Sequence, residues 1–112
     1  MSDRPTLDHI AITVQDMDRA VGFYRDVLGF EVLGQLVLNE GAFKLVYLQA
    51  GAGRIELFAF TEEGRGLDPS PRNEDLGFKH VAFQVDDVDA VARRLQQHGV
   101  AEHLTFTDKL SG

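Results

Sequence analysis

The chain has 112 residues, of which 44% are hydrophobic and 26% charged, a composition that suits one compact domain or two half-sized modules sharing a core. A net charge of −7 without a basic stripe excludes the usual electrostatics of nucleic-acid binding. The absence of cysteine excludes disulfides and thiolate chemistry. No apolar run has transmembrane length and no signal peptide is visible, so we predict a cytoplasmic protein with no membrane partner.

Two segments of the chain repeat one pattern at an offset of 71 residues. LDHIAITVQDMDRAVGFY near the N-terminus aligns with FKHVAFQVDDVDAVARRL near the C-terminus, so that His9 falls on His80. Four further identities are Ala11 with Ala82, Val14 with Val85, Asp16 with Asp87, and Asp18 with Asp89. Because the apolar periods and the helix starts also coincide, the pattern indicates an internal duplication.

Both copies begin with a predicted strand in which every second residue is apolar. The apolar faces carry Ile10, Ile12 and Val14 in the first strand, and Val81, Phe83 and Val85 in the second. His9 and His80 therefore fall on the opposite faces, which carry smaller or more polar residues. An apolar face needs a cover, and the segment that follows each strand can supply it.

An amphipathic helix is predicted after each strand, because a good N-cap residue precedes a stripe of apolar residues at helical spacing. The helices begin after Asp16 and Asp87 and end at Gly29 and Gly99. Three more strands follow the first helix, at 30–38, 43–49 and 54–60, with turns at NEG and GAG. The prediction is thus a first module at 1–60, a linker at 61–77 rich in turn formers, and a second module at 78–112.

Glu56 is a carboxylate within the apolar strand RIELFAF, where an unpaired charge is costly. By alternation it shares a face with Arg54, Phe58 and Phe60, and in one curved sheet that face can meet the face of His9. Two simpler explanations stay open for Glu56, an exposed position on an edge strand or an ion pair with Arg54. A lone strand histidine is also more often structural than a ligand, but its repetition at His80 favours a metal site.

Two imidazoles and one carboxylate can hold a divalent cation, which here could be zinc, nickel, manganese, cobalt or iron(II). Such an ion polarises a carbonyl oxygen, and ferrous iron also binds oxygen. We predict a substrate pocket lined by Thr13, Tyr47, Phe58, Phe60 and Gln84, although aromatic residues in strands are usually core. His98 and His103 have no counterpart in the repeat and are predicted to be surface residues.

The chain resembles the vicinal oxygen chelate superfamily, the group of glyoxalase I, methylmalonyl-CoA epimerase, extradiol dioxygenases, fosfomycin-resistance enzymes and bleomycin-binding proteins. The resemblance is carried by LDHIAITVQDMDRAVGFYRDVLGFEV, RIELFAF and GFKHVAFQVDDVDAVARRL, and it extends from Leu7 to Val100. It implies an α+β fold in which paired βαβββ modules form a curved, mixed-sheet cup around a divalent metal. Carried over by position, three of the four usual metal ligands are His9, Glu56 and His80.

The fourth ligand of that pattern has no counterpart in this sequence. His9 and Glu56 are 47 residues apart, so the second glutamate is expected near 80 + 47 = 127, beyond Gly112. We therefore predict that the second module is incomplete at its C-terminus. A missing closing strand would expose a sheet edge, which favours a homodimer.

The resemblance implies a metal-dependent lyase or isomerase that acts on a small carbonyl or hydroxy substrate, with Glu56 as the catalytic proton-transfer base and a metal-stabilised enolate. The alternative is a metal-free drug-binding protein of the bleomycin-resistance type, which the net charge and the missing ligand favour. An extradiol-type dioxygenase comes third, because its single glutamate would belong to the absent closing strand. The last alternative is a fragment that has lost its activity.

Overall fold

The computed structural model describes residues 4–64, 66, 72 and 74–100, and it divides the chain into two compact units, Met1–Arg65 and Gly66–Gly112. In the described part of the chain, the strands belong to the first unit and the longest helix belongs to the second. No helix within those residues is long and apolar enough to cross a membrane.

The first unit contains a mixed four-stranded sheet. Its strands are β1 His9–Thr13, β2 Glu31–Leu38, β3 Phe43–Ala50 and β4 Gly53–Phe60, and their order across the sheet is β1-β4-β3-β2. β1 runs parallel to β4, whereas β4 with β3 and β3 with β2 form antiparallel pairs. With one helix between β1 and β2, this is the βαβββ connectivity that the sequence predicts, and the α+β class is confirmed.

The core of the first unit lies on one face of this sheet. Val46, Leu48, Ile55 and Leu57 form its buried centre, and Leu48 and Leu57 are completely inaccessible to solvent. Fully burying such a side chain contributes about 1.5–3 kcal/mol. The predicted apolar face of β1 and the apolar stripe of the following helix pack against this centre, and they contribute Ile10, Ile12, Val14, Met17, Ala20, Val21 and Tyr24. The helix therefore covers one face and leaves the other to carry the histidine.

The two helical segments start in the same way. Helix α1, Met17–Gly22, is capped by Asp16, whose carboxylate accepts a hydrogen bond from the Arg19 amide at 3.0 Å. Helix α2, Val88–Gln97, is capped by Asp87, which accepts from the Ala90 amide at the same distance. A side-chain acceptor at the N-cap satisfies an amide that has no partner within the helix. Both predicted N-caps are thus confirmed.

The two helical segments differ by one residue in length. From its cap to its terminal glycine the first spans 29 − 16 = 13 positions and the second 99 − 87 = 12. In the first copy a π-helical turn, Phe23–Val27, follows α1, and the Leu28 amide donates to the Phe23 carbonyl five residues back. A π-helical turn is wider than an α-helical one, so it accommodates the extra residue. Both segments end at a glycine with positive φ, 80° at Gly29 and 72° at Gly99.

The prediction of a strand at the start of the second copy is wrong. Residues 78–85 form no strand. Phe78 is 78% exposed and Val81 is 41% exposed, whereas the equivalent face of β1 packs on the core. In the first copy, β1 is hydrogen-bonded to β4, which begins at Gly53. In residues 78–85, apolar alternation alone therefore did not suffice to form a strand.

Candidate functional site

The face of the sheet opposite the core carries the candidate site, and we call it the histidine face. In the parallel ladder His9 is paired with Arg54 and Ala11 with Glu56, while in the antiparallel ladder Tyr47 is paired with Glu56. Paired residues of neighbouring strands project from the same face of a sheet. Among the described residues, the histidine face includes His9, Thr13, Tyr47, Arg54, Glu56, Phe58 and Phe60.

Two of the three predicted metal ligands meet on this face. The Nε2 atom of His9 lies 3.4 Å from the Oε2 atom of Glu56. Glu56 is only 9% exposed, because β4 is an interior strand between β1 and β3. Both simpler explanations for this carboxylate are therefore wrong. Glu56 does not lie on an edge strand, and the ion pair of Arg54 is made with Asp8.

The separation of these two atoms suits two ligands of one ion. Atoms bound at about 2.1 Å to a tetrahedral ion lie about 3.4 Å apart, and at an octahedral ion about 3.0 Å apart. An imidazole nitrogen and a carboxylate oxygen are donors that borderline divalent cations accept. Within residues 4–64, no third His, Cys or acidic side chain completes a metal-binding group with them. His80, the third predicted ligand, belongs to the second unit, where it is exposed.

A carboxylate that the sequence reasoning missed lies behind His9. Asp8 Oδ2 is 2.7 Å from the Nδ1 atom of His9 and 2.8 Å from a guanidinium nitrogen of Arg54. The hydrogen bond with His9, and then the contacts with Arg54, lower the pKa of the Asp8 carboxyl below its ordinary value of 3.8. The hydrogen bond to Asp8 in turn raises the pKa of the Arg54 guanidinium. The available sequence signal was the acidic residue directly before His9 in LDH, but nothing local reveals that Arg54 reaches it.

An aromatic cluster extends the histidine face toward the end of β4. The rings of Phe43 and Phe60 are stacked, with centroids 4.6 Å apart and planes 4° from parallel. Phe58 meets Phe43 edge to face at 5.3 Å. Phe60 remains 47% exposed, so the cluster presents an open apolar surface beyond Glu56.

The predicted pocket residues are divided between the two units. Thr13 is paired with Phe58 in the ladder, so Thr13, Tyr47, Phe58 and Phe60 share the histidine face with Glu56. Gln84 belongs to the second unit and is exposed.

Of the two histidines that were predicted to be surface residues, the structure describes one. His98 is exposed at the end of α2, which confirms that prediction. His103 lies outside the described residues, so its prediction stands as made.

A cavity of about 360 Å³ in the first unit lies at the far end of the strands. Its lining includes Gln15, Asp16, Lys44, Phe60 and Thr61, but neither His9 nor Glu56. Phe60, a member of the aromatic cluster, therefore also borders this cavity. The cavity is not the surface on which the two ligand atoms meet.

Comparison with known proteins defines the class to which this arrangement belongs. Residues 6–112 match the Glyoxalase/Bleomycin resistance protein/Dioxygenase superfamily, and the chain is a member of that superfamily. The resemblance predicted from the sequence motifs is thus confirmed.

Three relatives show the range of proteins that the chain is similar to. YwkD of Bacillus subtilis, an uncharacterized protein, is 32% identical over 108 residues, which cover 96% of this chain and 82% of YwkD. Mitochondrial methylmalonyl-CoA epimerase of Mus musculus is 33% identical over 97 residues, covering 81% of this chain and 52% of the epimerase. The chain therefore spans about half the length of that enzyme. The structure of the trypanothione-dependent glyoxalase I of Leishmania major matches with a TM-score of 0.64 at 28% identity, covering 86% of this chain and 68% of that one.

Proposed function

We propose that the protein is a metal-dependent lyase or isomerase that moves a proton next to the carbonyl or hydroxyl group of a small substrate. The observation that carries this proposal is the approach of His9 Nε2 to Glu56 Oε2 on the open face of the sheet. The predicted donors His9, Glu56 and His80 are of the residue types that a divalent cation accepts. Similarity to an epimerase and to a glyoxalase I supports the reaction class.

Each residue of the proposed site has a separate task. His9 and His80 would hold the ion through neutral imidazole nitrogens. A divalent ion held there supplies Lewis acidity toward a substrate oxygen. Glu56 would be the third ligand and the base that would take a proton from the substrate carbon and return it.

Metal titration of the chelator-treated protein tests the donor set. Nickel, zinc, manganese and cobalt are titrated separately into the wild type and into His9→Gln, Glu56→Gln and His80→Gln. Each of these three substitutions replaces a strong donor with a neutral amide oxygen, a weaker ligand for these ions, so we expect affinity for the tightest metal to fall by about 100-fold or more, beyond the loss typical of an outer-shell change. The matched control is His98→Gln, which removes an exposed histidine of the second unit and is expected to bind metal as the wild type does.

Two results would overturn the donor set. One is wild-type affinity no greater than that of a His9→Gln/His80→Gln double variant for all four metals. The other is retention of full affinity after any single ligand substitution. A fall in affinity for His98→Gln would instead place the ion elsewhere in the second unit.

The reaction class is tested by exchange of a substrate proton with solvent deuterium. Methylmalonyl-CoA, the substrate in the name of the mouse relative, is one probe, and a panel of small α-hydroxy and α-oxo compounds is the other. Exchange that requires added metal and Glu56 supports proton transfer. Metal binding without exchange of any probe would retain the site and contradict the reaction for those substrates.

The aromatic cluster favours a second function, metal-free binding of a flat apolar molecule. Phe60 is half exposed and its ring is already stacked on Phe43, which offers a π surface to a ligand. A ligand screen by thermal shift, run with and without chelator, separates the two functions. Stabilisation that chelator leaves unchanged and that Phe60→Ala removes would favour binding over metal-dependent chemistry.

A further inference from the structure

The Asp8 carboxylate contacts a residue on each of two neighbouring strands, His9 on β1 and Arg54 on β4. One oxygen of its carboxylate, Oδ2, contacts both the Nδ1 atom of His9 and the guanidinium of Arg54. The Arg54 amide also donates a hydrogen bond to the Asp8 carbonyl at 3.0 Å, so Asp8 is held through both its backbone and its side chain. Because Arg54 lies two residues before Glu56, β4 supplies both the anchor of Asp8 and the carboxylate on the other side of the imidazole.

The chemistry of these contacts restricts the proton positions on His9. An ionised carboxylate only accepts hydrogen bonds and a guanidinium only donates them, so the Nδ1 atom of His9 must donate to Asp8. A neutral imidazole carries one ring proton, which leaves Nε2 with a lone pair. That lone pair then lies 3.4 Å from a carboxylate oxygen of Glu56, an arrangement of two acceptors that a shared cation would stabilise.

We propose that Asp8, anchored by Arg54, is a positioning residue that fixes neutral His9 in its Nδ1–H tautomer and so presents Nε2 as a metal ligand. The statement about metal rests on the proposed function, whereas the statement about the tautomer does not. In the second copy the position equivalent to Asp8 is 8 + 71 = 79, where the side chain of Lys79 has no acceptor atom. The two histidines of the repeat are therefore held differently, and the proposal concerns His9 alone.

Nitrogen-15 NMR of the metal-free protein tests the tautomer directly. Long-range proton–nitrogen spectra are recorded at about pH 8.5, about two units above the ordinary imidazole pKa. The signals are assigned with His9→Gln. We expect wild-type His9 to carry its proton on Nδ1, and Asp8→Ala to shift it toward the Nε2–H form that unconstrained histidine prefers. His80, recorded in the same spectra, is expected to be unchanged.

Metal titration of the same variants supplies the second readout. Loss of an outer-shell carboxylate is expected to weaken metal affinity by about 10–100-fold in Asp8→Ala. The matched control is Asp26→Ala, which removes another exposed Asp–Arg contact of 2.8 Å, with Arg25, that involves no histidine. It should alter neither the His9 signals nor the affinity.

The outcomes separate this inference from the proposed function. An Nε2–H or doubly protonated His9 in the wild type, or an unchanged tautomer in Asp8→Ala, overturns the inference whether or not metal binds. The wild-type spectrum decides this even if a variant fails to fold. The predicted tautomer and its loss in Asp8→Ala, found together with a wild type that binds no metal, support the positioning role of Asp8 and overturn the metal site.

Discussion

The two copies of one sequence pattern adopt different structures in the two units. In the first, the segment that begins at His9 forms β1, and its apolar side chains pack on a buried core. In the second, residues 78–85 form no strand, although the helix that follows is capped in the same way. A helix start depends on a few neighbouring residues, whereas a strand needs a partner far away in the chain. The comparison separates what is locally encoded from what is not.

The largest expected difference concerns equivalent apolar positions of the two copies. Ile10 packs on the core of the first unit, and its counterpart at 10 + 71 = 81 is Val81, which is 41% exposed. We expect Ile10→Ala to lower the free energy of unfolding by about 2 kcal/mol and Val81→Ala by less than about 0.5 kcal/mol. Urea unfolding of both variants measures these losses.

Tyrosine fluorescence makes this measurement specific to the first unit. The chain has no tryptophan, and both of its tyrosines, Tyr24 and Tyr47, lie in that unit. A second probe, far-UV circular dichroism, also reports α2 of the second unit. Equal losses for Ile10→Ala and Val81→Ala would contradict the difference between the two copies.

The capping residues should give smaller and equal effects. Asp16→Ala and Asp87→Ala each remove a 3.0 Å hydrogen bond to a first-turn amide. Each loss is expected to cost about 1 kcal/mol, which corresponds to about a fivefold larger equilibrium constant for local opening. Amide hydrogen exchange at Arg19 and Ala90 measures the two openings separately. A much larger effect at one cap would show that the two starts are not equivalent.

The features predicted correctly from the sequence are those that depend on local periodicity and on single residues. The alternation along β1 and β4 predicted that His9 and Glu56 avoid the core face, and Asp16 and Asp87 marked both helix starts. The register that pairs Ala11 with Glu56 across 45 positions has no local signal. For the same reason the contact of Asp8 with Arg54 was missed, since it joins residues 46 apart.

The one-residue difference between the helical segments was also visible in the sequence but not interpretable there. Thirteen positions in one copy and twelve in the other could have been absorbed by a loop, a frayed end or a wider turn. Packing of the apolar stripe on the sheet keeps both ends of the first segment in place, so the extra residue enters a π-helical turn. Only tertiary structure decides among these solutions.

The smallest effect at neutral pH concerns Tyr24, for which the second copy has Leu95 at the equivalent position, 24 + 71 = 95. Burial raises the pKa of the Tyr24 phenol above its ordinary value of 10.0. The unfolded chain therefore releases this proton at lower pH than the folded chain, so stability falls as pH rises past the ordinary value. Tyr24→Phe removes the effect. Urea unfolding at about pH 8 and about pH 10.5 should show a steeper loss for the wild type than for the variant, and equal losses would contradict the burial of the phenol.

The central proposal is that two histidines from the two copies and one glutamate share a cation. An anomalous difference map from crystals grown with equimolar zinc or cobalt tests it most directly. The account predicts one peak about 2.0–2.2 Å from an imidazole nitrogen of His9, an imidazole nitrogen of His80 and a carboxylate oxygen of Glu56. A peak that lacks any of these three neighbours, or a site that stays empty at saturating metal, would contradict it.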